Sequence, residues 1–293
     1  MHGSIPNAEA PSAACGVAAH ALVEAALAEI PALRDRPVPD GVPPLPARFL
    51  RHCDEQTVVG LRAVLAASAA HPEPRPSFAA YGVVAAPCQA GRIATAQSLA
   101  QLRTAGGVAV SPHIVPQCSL HSVAGAVSVA LGMHGPNVGV SGGQHAVSEG
   151  LFASLSLLAA DADLPGLWLV VSGWTEEPAL DDLGRPIAPT ADSPGPICRA
   201  VAVALTADGH ANAGTAPRHQ LSLHMHASMR AARPAGHGRH AADEILDFAR
   251  ALDRVADTAW SHRFPWDAEG RGSEIRLASR AAAAGSLSRR EAA

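Results

Sequence analysis

The stretch Gly139-Val140-Ser141-Gly142-Gly143-Gln144-His145 is where chemistry is most concentrated in this chain. Its first five residues satisfy G-x-S-x-G, the strand–turn–helix elbow that exposes a nucleophilic serine between small neighbours. Ser141 is therefore a candidate nucleophile. A hydrolase also needs a later acid and a later histidine. Asp163, Glu176, Asp181, Asp208 and several histidines follow, but none lies in a distinctive motif. In a chain rich in Gly, Ala and Ser, the five-residue pattern also arises by chance.

Other polar groups carry weaker signals. His224 and His226 alternate with Met225, which places both imidazoles on one face of a strand beside Ser222. Two histidines so spaced suit a metal, yet no third ligand is evident, and a polar outer face opposite Leu221, Leu223 and Met225 is the preferred reading. Glu176-Glu177 follows an apolar run, at the strand end where ligands bind in α/β sheets. One of the two is expected to cap a helix or hold an arginine. His237 and His240 lie in a Gly/Arg-rich segment and read as solvated. No metal and no cofactor is expected.

The elements that must position these residues follow from the apolar pattern. The chain has 293 residues, 48% hydrophobic and 16% charged, so a large core is available. Aromatics are only 3%, so that core must be built from Ala, Val and Leu. An Ala-rich stretch over 14–33 has helical periodicity, and a proline-rich strap, RPVPDGVPPLPARF, follows at 36–49. Asp54 is placed to cap a buried helix over 54–70. YGVVAAP (81–87) reads as a buried strand. A helix over 93–105 ends at Gly106-Gly107. SLHSVAGAVSVALGM (119–133) is a small-residue helix, 138–141 a short strand, 145–160 a helix, and GLWLVVSG (166–173) a hydrophobic strand. CRAVAVALT (198–206) and HQLSLHMHA (219–227) read as two strands, possible antiparallel neighbours across a Gly/Asn/Pro-rich loop. Residues 241–260 form an amphipathic helix with carboxylates in its first turns. Residues after 280 read as a disordered tail. Strands alternating with helices imply an α/β layered domain with a mixed, largely parallel sheet flanked by helices.

Composition excludes several functions. The chain contains no lysine, which removes a Schiff-base lysine, a P-loop lysine and a kinase lysine. Net charge is −4 and no basic patch suits nucleic acid. The five cysteines, Cys15, Cys53, Cys88, Cys118 and Cys198, show neither zinc nor C-x-x-C spacing. Their odd number, without a secretory leader, fits a cytoplasmic protein. The longest apolar runs are too short to span a membrane.

From about 46 to 206 the chain resembles the N-terminal half of the β-ketoacyl synthases, condensing enzymes of thiolase-like fold. LPARFLRHCDEQTVVGLRAVLAA is similar to the family's arginine-bearing loop and buried helix, and YGVVAAP to its next strand. SPHIVPQCSLHSVAGAVSVALGMHGPN carries the family-like Ser-Pro, small-residue helix and Gly135-Pro136-Asn137. ADADLPGLWLVVSGWTEE resembles the family's Asp-Ala-Asp turn, strand and Gly-Gly-x-Glu ending, with Trp174 in place of the second glycine.

Counted from Gly135-Pro136-Asn137, the resemblance places the family's nucleophilic cysteine at Gln144. A cysteine there is activated by a helix N-terminus, which lowers its pKa and helps hold an acyl oxyanion. Glutamine forms no thioester and only donates or accepts hydrogen bonds. Cys118 lies on the wrong element to replace it. The resemblance further implies Gly135, Pro136, Asn137, Gly142, Gly143 and His145 around the substrate. The family's second half, with its two catalytic histidines, is not found, and His210 comes too soon after CRAVAVALT to stand for one.

The division expected is 1–45 as an N-terminal helix and proline-rich segment, 46–260 as the synthase-like domain, and 261–293 as a partly disordered tail. Glutamine at the nucleophile position occurs in chain-length factors and in loading domains that decarboxylate malonyl groups. The resemblance thus implies a condensation-inactive accessory subunit in fatty-acid or polyketide-type synthesis. It would work with a complete ketosynthase and an acyl carrier protein, as a homo- or hetero-oligomer. A malonyl decarboxylase using Gln144 and a serine hydrolase using Ser141 are the alternatives.

Overall fold

The computed structural model describes residues 12–72, 76–112, 114–140, 143–189, 195–207, 217, 219–226, 240–254, 260–265 and 272–279. Along the chain run β1 (Ala13–Ala26), α1 (Ile30–Asp35), α2 (Glu55–Ala69), β2 (Gly82–Pro87), α3 (Arg92–Ala105), α4 (Ile114–Cys118) and α5 (Ser122–Leu131). Then come β3 (Asn137–Gly139), α6 (Ala146–Ala160), β4 (Gly166–Trp174), β5 (Ile197–Ala207), β6 (His219–His226), α7 (Ala241–Asp253), β7 (Trp260–Pro265) and β8 (Gly272–Ser279).

One eight-stranded sheet has the order β3-β2-β4-β5-β1-β6-β8-β7. The layered α/β fold with a mixed sheet is as the sequence implies. Parallel pairing is confined to β3-β2-β4, and the other neighbours are antiparallel. The central strands β2 and β4 are buried along their whole length, as expected for near-continuous apolar runs covered on both faces. One face packs Val84, Leu167, Leu169, Val203 and Leu205 with Leu151 and Leu155 of α6 and with Ile245 and Phe248 of α7. The other packs Val83, Trp168, Val170, Ala202 and Ala204 with Val58, Leu61 and Leu65 of α2 and with Val123 and Val127 of α5.

The helix expected over 14–33 is instead mostly strand. Alanine favours helix by about 0.5 kcal/mol per residue over typical alternatives. A buried backbone group left unpaired costs about 1–3 kcal/mol. β1 pairs with β5 on one edge and β6 on the other, so pairing wins. Its small side chains let residues on both faces join a core: Cys15 and Val17 on one, Ala19 and Ala25 on the other. A bulge between Val17 and Ala19 bends it.

β5 and β6 are not neighbours, because β1 lies between them. Being antiparallel to the same strand, they run parallel to one another. Most of the segment joining them, 208–216, lies outside the described residues, as does His210. The helix expected over 241–260 ends at Asp253, and Trp260 opens β7 with its ring 5.1 Å from that of Phe248 on α7. β7 and β8 extend the sheet at Trp260–Pro265 and Gly272–Ser279, while the tail from 280 and His237 lie outside the described residues. No described helix is long and apolar enough to cross a membrane.

The proline strap is fastened from below. The buried guanidinium of Arg62 on α2 donates to the carbonyls of Leu33, Arg34, Arg36 and Pro37. Arg34 donates to the carbonyls of Leu50 and Cys53 and pairs with Glu55 at 3.5 Å.

Candidate functional site

The C-terminal ends of the parallel strands β2, β3 and β4 converge at one edge of the sheet, where open α/β sheets place ligands. The turn carrying Gln144 leaves this edge. It is pinned at both ends. Val140 N–H donates to Ala85 O on β2, and at the far end His145 O accepts from Glu149 N–H and from Ser148 Oγ–H. A Cβ on Gly139 would stand 2.5 Å from the Leu120 carbonyl oxygen, so only glycine lets β3 approach that backbone so closely. Gly135 and Pro136 seat the same strand: Gly135 N–H donates to Tyr81 O, and Val83 N–H donates to Pro136 O. Asn137 continues the pairing opposite Val83.

Gly143, Gln144 and His145 are exposed, and Ala146, Val147 and Ser148 directly behind them are buried. Gln144 thus sits one residue ahead of the α6 N-cap, at the positive end of a fifteen-residue helix. Ser141 and Gly142 lie outside the described residues.

His262 is a further candidate residue, one that the sequence alone does not single out. β7 brings it near His145: burial lowers its pKa, and the proximity of His145 lowers it further. It is half-buried, and its ring lies 6.1 Å from that of Trp260. The available signal was the alternation Trp260-x-His262-x-Phe264 within a stretch read partly as helix and partly as tail.

Behind the edge runs a buried polar chain. Ser172 Oγ–H on β4 donates to Gln56 Oε1, and Gln56 Nε2–H donates to Cys88 O just past β2. Asp54 caps α2 as expected, accepting from Thr57 N–H through one oxygen and from Gly91 N–H through the other. Burial nevertheless pushes its pKa up against those hydrogen bonds. Gly91 adopts φ 69, and a Cβ on it would overlap Cys118.

No described thiol near this edge is activated. Burial pushes Cys88 up to about 11, with Glu177 and Glu244 adding to the effect. Burial also raises Cys118 to about 11, helped by Asp54 and Glu55. Cys53 is likewise raised to about 11, burial first and then Asp54, against the pull of Arg34. Cys198 is raised well above its ordinary value, chiefly by burial. Of the two glutamates after β4, Glu176 is exposed and Glu177 holds Arg92 at 3.2 Å.

The paired histidines of β6 lie on a polar face. His224 Nε2 is 3.0 Å from Ser222 Oγ, and His226 Nε2 is 3.4 Å from Glu274 Oε2, while Leu221 and Leu223 are in the core. Among the described residues no three His, Cys, Asp or Glu side chains are grouped to hold a metal.

A chain of a ketosynthase in complex with its chain length factor, from Xenorhabdus doucetiae, superposes with a TM-score of 0.52 at 15% identity, over 93% of this chain and 100% of that one. A chain of a type II polyketide acyl-carrier protein–ketosynthase complex superposes at 0.59, with 11% identity, over 91% and 99%. The ishigamide ketosynthase/chain length factor gives 0.52, with 13% identity, over the same shares. The fold is ketosynthase-like. The thiolase-like architecture expected from the 46–206 motifs therefore holds, and the superpositions extend it across more than nine-tenths of the chain. No protein-family model matches the sequence, and no curated protein matches it. At these identities the ketosynthase-like likeness concerns fold.

Proposed function

We propose that this chain is a condensation-inactive, chain-length-factor-like subunit of polyketide or fatty-acid-type synthesis. It acts in the cytoplasm beside a complete ketosynthase and an acyl carrier protein. The observation that carries this reading is the glutamine one residue ahead of the α6 N-cap, at the sheet edge of a ketosynthase-like fold. The resemblance counts Gln144 as the nucleophile's position, and an amide there accepts no acyl group. The neighbouring thiols are held protonated and do not take over. Gly143 and His145, with the Gly135-Pro136-Asn137 turn, are assigned to the rim of the acyl path. The solved complexes of ketosynthases with chain length factors, in which chains of this fold occur, support the choice of partner.

A radiolabelled acyl carrier protein offered to the purified chain tests the reading. No label should transfer to protein. Stable, denaturation-resistant acylation of any side chain would overturn it.

A second reading has support from His145 and His262. His145 directly follows Gln144, and His262 lies close enough to His145 to feel its charge; these imidazoles could hold the carboxylate of a malonyl thioester, or the enolate left when carbon dioxide departs. Carbon dioxide release from malonyl carrier protein, lost in Gln144→Ala and His262→Ala, would move the assignment to a decarboxylase. Absence of release retains the accessory role.

A further inference from the structure

Under the proline strap lies a cavity of about 800 Å³, walled by residues between Arg34 and Arg51 and floored by Arg62. No lining residue belongs to the 135–145 segment, so this space is separate from the Gln144 turn. Five arginines line it against two aspartates, Asp35 and Asp40, in a chain whose net charge is −4.

Two of the arginines are engaged. Arg62 spends its donors on strap carbonyls, and Arg34 is paired with Glu55 and two further carbonyls. The other three, Arg36, Arg48 and Arg51, are exposed and have no ion pair or side-chain hydrogen bond among the described residues. Among the described residues no ion pair offsets their charge, and Arg36 is close enough to Arg62 to oppose its protonation, after the larger effect of burial and against the pull of Asp35.

The backbone is arranged around these cations. Arg48 is held at φ 61, a left-handed conformation that is unfavourable for an L-residue and that glycine adopts freely. Strain of this kind collects where a side chain serves a ligand. Pro37, Pro39, Pro44 and Pro46 fix the wall's φ angles, so little ordering is left for binding. Val42, Leu45 and Phe49 give the same cavity an apolar side.

We propose that this cavity binds a phosphate-bearing small molecule, with the anionic head on Arg36, Arg48 and Arg51 and an apolar body against Val42, Leu45 and Phe49. Three guanidinium groups with no ion pair among the described residues match an anion of charge −2 or more, and their planar donor pairs match phosphate oxygens. A single carboxylate would leave most of that charge unmet. The site goes beyond the accessory role proposed above and does not depend on it.

Calorimetric titration of the full chain with inorganic pyrophosphate tests the site. One saturable binding event is expected, weakening as salt rises. Arg48→Gly keeps the left-handed backbone and removes the guanidinium. It should fold with an unchanged or higher melting temperature and bind at least tenfold more weakly. The Arg36→Gln/Arg51→Gln pair should lose binding altogether, and its backbone carbonyls remain for Arg62. No saturable binding by the native chain, or equal binding by these variants, would overturn the proposal. Acetate at the same concentration should not compete, and equal competition would contradict the phosphate class. Sedimentation with phosphatidic-acid vesicles separates the sources of phosphate: recruitment to vesicles without binding of free pyrophosphate would also overturn it.

Discussion

Ser172 and Gln56 are 116 residues apart, yet the Ser172 hydroxyl donates to Gln56 Oε1 at 2.8 Å in the interior. The same Gln56 amide donates to Cys88 O at 2.6 Å. One side chain thus ties α2 to the ends of β2 and β4, the edge from which the site is built. Gln56→Leu leaves a buried hydroxyl and a buried carbonyl without their partner. It should cost about 1–3 kcal/mol of stability, read from urea unfolding. Unfolding indistinguishable from the native chain would show that the chain of hydrogen bonds contributes nothing.

The close approach of β3 to Leu120 gives a second prediction. Gly139→Ala places a methyl group against a backbone carbonyl that cannot rotate away. The strand must shift, and a loss of about 1–3 kcal/mol is expected, as for other overpacked cores. Thermal melting checks it, and a variant as stable as the native chain would count against this placement of β3.

Thiol reactivity tests the electrostatics. Cys53, Cys88 and Cys118, each raised to about 11, and the more strongly raised Cys198 should resist alkylation at pH 7.5 in the native state and react only on unfolding. Gln144→Cys adds an exposed thiol just ahead of the α6 N-terminus, where the helix favours the thiolate. It should be alkylated at least tenfold faster than the native cysteines, as mass spectrometry after brief iodoacetamide treatment would report. A rate no higher than theirs would remove Gln144 from a nucleophile-activating position.

Acid should loosen the β6-β8-β7 end of the sheet first. Burial of Glu274 raises its pKa, but hydrogen bonds from Arg276 and Arg263 outweigh it and hold the group at about 2, below its ordinary 4.5. A depressed carboxylate contributes stability that is full above about pH 4.5 and is lost as pH falls toward 2. Both arginines are partly exposed, so solvent screening limits the contribution to about 1 kcal/mol. Glu274→Gln should flatten the decline of melting temperature between pH 4.5 and 2. An unchanged decline would mean that another group titrates there.

The parts of the fold that sequence made legible are those where one local signal dominates. Asp54 ahead of an apolar run marked α2, and unbroken valine and leucine marked β2 and β4. β1 was hidden because alanine reads as helix unless its two partner strands are known. The β5–β6 neighbourhood was misjudged for the same reason, since the strand between them comes from the other end of the sequence. The turn at Gln144 was visible through spacing from Gly135. His262 was not, because only the tertiary path of β7 brings it to His145. The arginines of the strap were visible as residues, but nothing local showed that they surround one cavity.

The central claim is that this chain works as a non-condensing partner. Native purification of the tagged protein from its own host tests it most directly, with stoichiometry of whatever co-elutes. The account predicts a complete condensing enzyme in stoichiometric amount, with acyl carrier protein joining under crosslinking. A stable, solitary protein at native abundance, with no condensing enzyme retained, would contradict it.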